Sequence, residues 1–131
     1  MKEVEVVAAI IQENDKILCL QKGETKYAYT SFNYEFPGGK VNPGETLEIA
    51  LKREIMEELS MHITIESKLL THHHTYPDFK IIIHFFLCRT TDKQPTLSEH
   101  INFQWLQKNE LSDLEWAAAD VPAVQMLVDL P

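Results

Sequence analysis

Glu54, Glu57 and Glu58 stand at i, i+3 and i+4, the spacing that brings side chains together on one face of a helix. Like charges held that close repel, and partial burial adds a desolvation cost. Structural needs alone give little reason for such an arrangement, whereas a divalent cation relieves it. Magnesium prefers oxygen ligands and commonly combines a few carboxylates with waters and phosphate oxygens. The plainer reading is a solvated acidic helix face, with Arg53 paired to Glu57 four residues on. Glu-x-x-Glu-Glu by itself leaves both readings open.

A helix over Thr46–Leu59 must carry these residues: the stretch lacks Gly and Pro, and its apolar residues recur at helical spacing. Pro43, Gly44 and the acidic Glu45 precede it, as a helix start prefers. Leu47, Ala50 and Leu51 form an inward stripe that, continued, runs through Glu54, Glu57 and Glu58. Ahead of the helix, the glycine pair in Pro37-Gly38-Gly39-Lys40 lets backbone approach an ion or a phosphate closely.

Val4–Ile11 and Lys16–Leu20 read as hairpin strands around a Glu13–Asp15 turn, followed by a loop from Lys22 to Asn33 and a short strand at Tyr34–Phe36. Further strands are expected at His62–Glu66, Leu69–Tyr76, Lys80–Arg89 and Ile101–Leu106. Pro77-Asp78 forms a turn, with Phe79 in it, and Thr90–Ser98 a polar loop. Pro122–Leu130 reads as a closing helix with Val121, Val124, Leu127 and Val128 on one face. Strands flanked by two helices predict an α+β fold, an α/β/α sandwich around a mixed β-sheet, in a single domain spanning residues 1–131.

Composition narrows the partners. A net charge of −8 argues against a nucleic-acid polymer, whose binders carry basic patches. No apolar run approaches the ~20 residues of a membrane span, and the N-terminus lacks a secretory apolar stretch, so a cytoplasmic location is expected. Cys19 and Cys88 lie in apolar strand-like runs and are expected to be buried free thiols.

Taken together, Gly39, Glu45, Arg53, Glu54, Ile55, Glu57, Glu58 and Met61 resemble, at matching spacing, the signature box of the Nudix hydrolase superfamily. One position departs: Ser60 stands where the family has a glycine near the helix end, which puts the turn there in question but removes no ligand. The Val-Ala-Ala-Ile-Ile strand, Glu35-Phe36-Pro37-Gly38-Gly39-Lys40 and Ala118-Ala119-Asp120-Val121-Pro122 look closest to the branch containing MutT and the CTP pyrophosphohydrolases. The resemblance implies the Nudix fold and water attack at the β-phosphorus of a nucleoside triphosphate, giving a monophosphate and pyrophosphate. It implies Mg2+ as cofactor, with Mn2+ as a possible substitute, and a monomer or weak homodimer.

Roles follow from the same resemblance. Glu54, Glu57 and Glu58 match metal carboxylates, joined by a backbone carbonyl of the glycine pair, Gly38 being favoured, and by Glu99 outside the box. Arg53 matches a residue that orients the glutamates, with Glu45 as its partner. Glu54 is the first choice for general base and Glu99 the second. Lys22, Glu35, Gly39 and Lys40 match positions facing the substrate, the two lysines near its phosphates. Asp120 is a good helix N-cap by residue type, and by family position it reads the edge of the base. Ionised it accepts from an exocyclic amino group such as that of cytosine; protonated it donates, which suits an oxidised guanine.

Phe79 is the first candidate for a stacking wall, ahead of Tyr34, Phe36 and Trp116. His72, His73 and His74 read mainly as sheet surface, with His72 and His74 on one face. The favoured substrates are (deoxy)CTP, modified cytosine nucleotides and 8-oxo-dGTP, with nucleotide-pool sanitation and DNA repair as the attached roles. Two other readings are a Nudix hydrolase of ADP-ribose, a nucleotide sugar or a dinucleoside polyphosphate, and a non-catalytic nucleotide-binding domain. The latter class typically loses box carboxylates, and none is missing here.

Overall fold

A computed structural model describes residues 1–130. β1 (Lys2–Glu13) and β2 (Lys16–Lys22) form the first hairpin. Asn14 and Asp15 take φ of 50° and 67° in its turn, left-handed values that these residue types tolerate. β3 (Tyr34–Glu35), β4 (Gly38–Lys40) and α1 (Leu47–Leu59) follow, then β5 (Thr64–Thr75), β6 (Phe79–Arg89), β7 (His100–Gln107) and α2 (Val121–Asp129).

The seven strands form one mixed sheet in the order β3-β2-β1-β6-β5, with β4 added to β1 and β7 to β2. β1 and β6 run parallel from Lys2↔Phe79 to Gln12↔Arg89, and the other strand pairs are antiparallel. Strand alternation then divides the apolar side chains between two cores. On one face Val7, Ala9, Ile11, Leu18, Leu20 and Phe86 pack under Ala50, Leu51, Ile55 and Leu59 of α1. On the other, Ala8, Ile10, Ile17 and Phe85 pack against Ala123, Val124 and Leu127 of α2. The sandwich of helix, mixed sheet and helix is thus present. Each fully buried Leu or Ile contributes about 1.5–3 kcal/mol.

Cys19 belongs to the α2-side core and Cys88 to the α1-side core, and both are free and buried. Burial in apolar surroundings pushes both thiols up to about 12. Among the described residues no helix is long and apolar enough to cross a membrane.

Several elements differ from expectation for local reasons. His62–Glu66 and Leu69–Tyr76 are not two strands: the single β5 covers this stretch. Its register shifts between Ile65 and Ser67 and between Lys68 and Leu70, which breaks the alternation that a sequence pattern follows. Phe79 is not a turn residue but opens β6, paired with Lys2. In α2, Val121 and Val128 face out and Ala123 takes the inner position beside Val124 and Leu127.

The α1 stripe also drifts. It continues from Ala50 and Leu51 to Ile55 and Leu59, four residues apart, leaving Glu54 and Glu58 at its margin. Glu57 does not share the inward stripe, and its side chain is 57% exposed. Thr46 caps the N-terminus, its hydroxyl accepting from the Ile49 amide at 3.2 Å.

Ser60 ends α1 at φ 54°, ψ 40°, the left-handed conformation usually given to glycine. A side chain there costs about 1 kcal/mol. The Ser60→Gly variant is therefore expected to gain about 1 kcal/mol in urea unfolding; an unchanged or lower midpoint would show that the serine carries no strain.

Candidate active site

The organising side chain is Arg53. Its Nε and Nη2 donate to the two oxygens of Glu45 at 2.7 and 2.9 Å, a forked pairing that only a guanidinium provides. Nη1 donates to Glu54 at 2.9 Å and to Glu57 at 3.2 Å, and Nη2 also reaches the Lys40 carbonyl at 3.0 Å. One cation thus joins the loop before α1, two glutamates of α1 and the end of β4. The Arg53 hydrogen bonds, with the Asn42 amide, hold Glu45 below the usual carboxylate range.

Glycine lets these pieces touch. A Cβ on Gly38 would run into the Val7 carbonyl across the β1–β4 ladder, and one on Gly39 would overlap the Glu54 carboxylate that Arg53 holds in place. β4 was not expected as a strand; its pairing with β1 seats the glycine pair beside α1.

Glu58 faces a different environment. Its side chain is 13% exposed, and Oε2 is buried without a hydrogen-bond partner. Burial pushes its carboxyl up to about 9, aided by the nearby charges of Glu35, Glu54 and Glu99. A buried carboxylate close to Glu35, Glu54 and Glu99 is a donor set suited to a hard divalent cation. Among the described residues no three His, Cys, Asp or Glu side chains are grouped so as to hold a metal ion by themselves. The arrangement suits an open site completed by waters and phosphate oxygens rather than a structural one.

Glu58 and Glu99 line a cleft of about 770 Å³ together with Gly38, Gly39 and Lys40. Glu54 and Glu57 do not line it and are held by Arg53. Lys22 and Glu35 also line it, paired at 3.3 Å. Asp120, 3% exposed, lines it as well, and its Oδ2 accepts from the Phe36 amide at 2.9 Å. Its side chain makes no cap to α2, so the N-cap reading does not hold: the carboxyl is committed to β3's exit instead. Burial first, then the charge of Glu35, pushes it up to about 8.

Tyr27, Tyr76 and Phe79 form an aromatic wall at the mouth of this cleft, with Tyr27–Phe79 stacked at 5.8 Å and Tyr76–Phe79 at 5.0 Å. The Tyr76 hydroxyl accepts from the Ala119 amide, beside Asp120, at 3.0 Å.

A description of the NUDIX domain matches residues 1–127. The chain belongs to the Nudix hydrolase family. The CTP pyrophosphohydrolase of Escherichia coli (strain K12) is 34% identical to it over 99% of this chain and 95% of its own length. The 8-oxo-dGTP diphosphatase of the same organism is 29% identical over 97% of this chain and 98% of its own. Among solved structures, the MutT DNA mismatch repair protein of methicillin-resistant Staphylococcus aureus 252, a Nudix hydrolase, shares 40% identity at a TM-score of 0.76, covering 98% of each chain. Nudix hydrolases are generally divalent-metal dependent.

The Nudix fold gathers the residues expected from the sequence into two groups. Glu35, Glu58, Glu99, Lys22, Lys40, Gly38, Gly39, Phe79 and Asp120 border the cleft, and Glu45, Arg53, Glu54 and Glu57 form the fork behind it. Tyr34 and Trp116 are not cleft residues. The Tyr34 hydroxyl accepts from Asn102 and Gln104, and Trp116 packs on Phe36 and donates to the Leu111 carbonyl. Phe36 touches the cleft but packs mainly on Phe85 and Trp116. His72 and His74 share a sheet face, and His74 meets Tyr76 edge-on at 4.5 Å. Tyr27 and Tyr76 were not singled out from sequence, the first because it lies in an aperiodic loop.

A raised carboxyl pKa means that stability present at low pH is lost as pH rises toward the folded value. Wild-type protein should therefore lose stability between about pH 4 and about pH 8 as buried Asp120 is forced to ionise. Asp120→Asn keeps an acceptor for Phe36 and removes this ionisation, so its melting temperature should fall less over that range. Parallel curves for the two proteins would show that Asp120 does not titrate in this window.

Proposed function

We propose that this Nudix chain is a magnesium-dependent nucleoside triphosphate pyrophosphohydrolase, with manganese able to substitute. The observation that carries the reading is that one cleft is lined both by Glu58, buried among other carboxylates, and by the single-bonded carboxyl of Asp120. Glu54, Glu57 and Glu58, with Glu99 and the Gly38 carbonyl, would hold the cation. When bound, such a cation neutralises phosphate oxygens and makes an attacking water more acidic.

The chain's own residues supply the rest. Lys22 and Lys40 meet the phosphates, and Arg53 holds Glu54 and Glu57 in place. Glu54, or Glu99 after it, takes the proton from the attacking water. The water oxygen bonds to the β-phosphorus, and the bond from that phosphorus to the α–β bridging oxygen breaks. The bridging oxygen leaves with the nucleoside monophosphate and pyrophosphate is the other product.

Asp120 reads the base. Its Oδ2 is taken by Phe36, which leaves the second oxygen for the nucleobase edge, while Phe79 offers a ring face at the cleft mouth. This favours (deoxy)CTP, a modified cytosine nucleotide or an oxidised guanine nucleotide such as 8-oxo-dGTP. The names carried by the Escherichia coli relatives support the same pair of substrate classes.

Turnover of these triphosphates in 18O-labelled water tests the reading. The label should appear in pyrophosphate and not in the monophosphate; label in the monophosphate would place attack at the α-phosphorus and overturn it. Glu57 is exposed, so Glu57→Gln should fold normally yet lose roughly 100-fold or more in kcat. Unchanged turnover would remove Glu57 from the catalytic set.

A further inference from the structure

His100 is the residue through which the two ends of the carboxylate cluster meet. Its side chain is only 5% exposed. Nε2 lies 2.9 Å from Glu35 Oε2, and Glu35 in turn pairs with Lys22 through its other oxygen at 3.3 Å. Nδ1 faces Glu58 Oε2 at 3.8 Å. These last two atoms are the buried side-chain polar atoms without a hydrogen-bond partner among the described residues. Leaving two such groups unpaired is costly, and here they are aimed at each other.

The backbone is arranged to put His100 there. Phe103 and Trp105 of β7 pack on the α1-side core, while Asn102 and Gln104 face the other way toward Tyr34. Regular alternation would place His100 with Asn102 and Gln104, away from Glu58. Instead the register passes from Gln21↔Asn102 directly to Lys22↔His100, leaving Ile101 unpaired. This bulge returns His100 to the α1 side, a re-aiming that bulges perform beside active sites. The loop before it is tied to the end of α1: the Thr96 amide donates to the Leu59 carbonyl at 2.9 Å and the Ser98 hydroxyl to the Glu58 carbonyl at 3.2 Å.

We propose that His100 is a positioning residue that fixes the Glu58 carboxylate for the divalent cation and couples it to the Lys22–Glu35 pair on the cleft wall. The inference rests on the metal-dependent reading above. With Oε2 turned to His100, the other oxygen of Glu58 is reserved for the ion, and a shift of about 1 Å brings the orphaned pair into hydrogen-bond reach. Outer-sphere partners of this kind typically change metal affinity by about 10–100-fold when removed.

Three variants separate positioning from simple packing. The amide of Asn occupies the place of Nδ1 and retains the group facing Glu58; that of Gln occupies the place of Nε2 and retains the group facing Glu35; Ala retains neither. Mg2+ and Mn2+ are titrated alone, without nucleotide, by calorimetry, with the unfolding midpoint of each variant measured alongside. His100→Gln and His100→Ala should bind the cation about 10-fold or more weakly, and His100→Asn should stay within about 3-fold of wild type. For His100→Gln, excess cation should restore most of the lost turnover.

Equal affinity in all variants would overturn the proposal. So would losses that follow unfolding midpoints, with Asn no better than Ala. Absence of triphosphate turnover in a wild-type protein that still shows this pattern would sink only the substrate reading. A wild-type protein that binds no cation would sink both.

Discussion

Holding several carboxylates together on and around one helix is the constraint around which this molecule is built. Glu54 and Glu57 would repel each other on α1, and Arg53 answers both from the same helix face. The guanidinium suits the task because it is planar, permanently charged and offers five donors. With two of its edges on Glu45 and Lys40, it also fixes where the helix stands relative to the glycine strand. Glu58 receives no arginine; its buried Oε2 stands opposite His100 Nδ1 at 3.8 Å.

The remainder of the fold serves that geometry. β1 is the shared strand: it pairs with β2, β4 and β6, and its two faces supply both cores. Pairing of β4 with β1 sets Gly38 and Gly39 under the carboxylates, and the parallel β1–β6 register starts at Phe79 on the cleft mouth. Asp120 and Glu58 come from segments nearly half the chain apart, the first at the start of α2 and the second near the end of α1, and both line one cleft.

Local periodicity made α1 readable, together with the box spacing that ties Arg53 to Glu45. The phase along α1 was less readable: four-residue steps through Ile55 and Leu59 turn Glu57 to solvent, although its spacing from Glu54 suggests the same face. β4 is too short to carry a pattern, and β5 hides behind two register shifts. His100 gives no signal in the sequence for a related reason, since strand parity points it to the wrong face and only the unpaired Ile101 corrects this. Asp120 illustrates a different limit. Its residue type suits a helix cap, but a partner distant in sequence, the Phe36 amide, takes the side chain.

The most direct test of the Arg53 account is a double-mutant cycle on kcat with Glu45→Gln and Arg53→Lys, at saturating Mg2+ and triphosphate. If Glu45 acts by holding Arg53, each change lowers kcat by about 10-fold or more, and the double variant is no worse than the weaker single one. A double variant whose loss equals the product of the two single losses would mean that the residues act independently. That result would contradict the claim that a single fork organises the site.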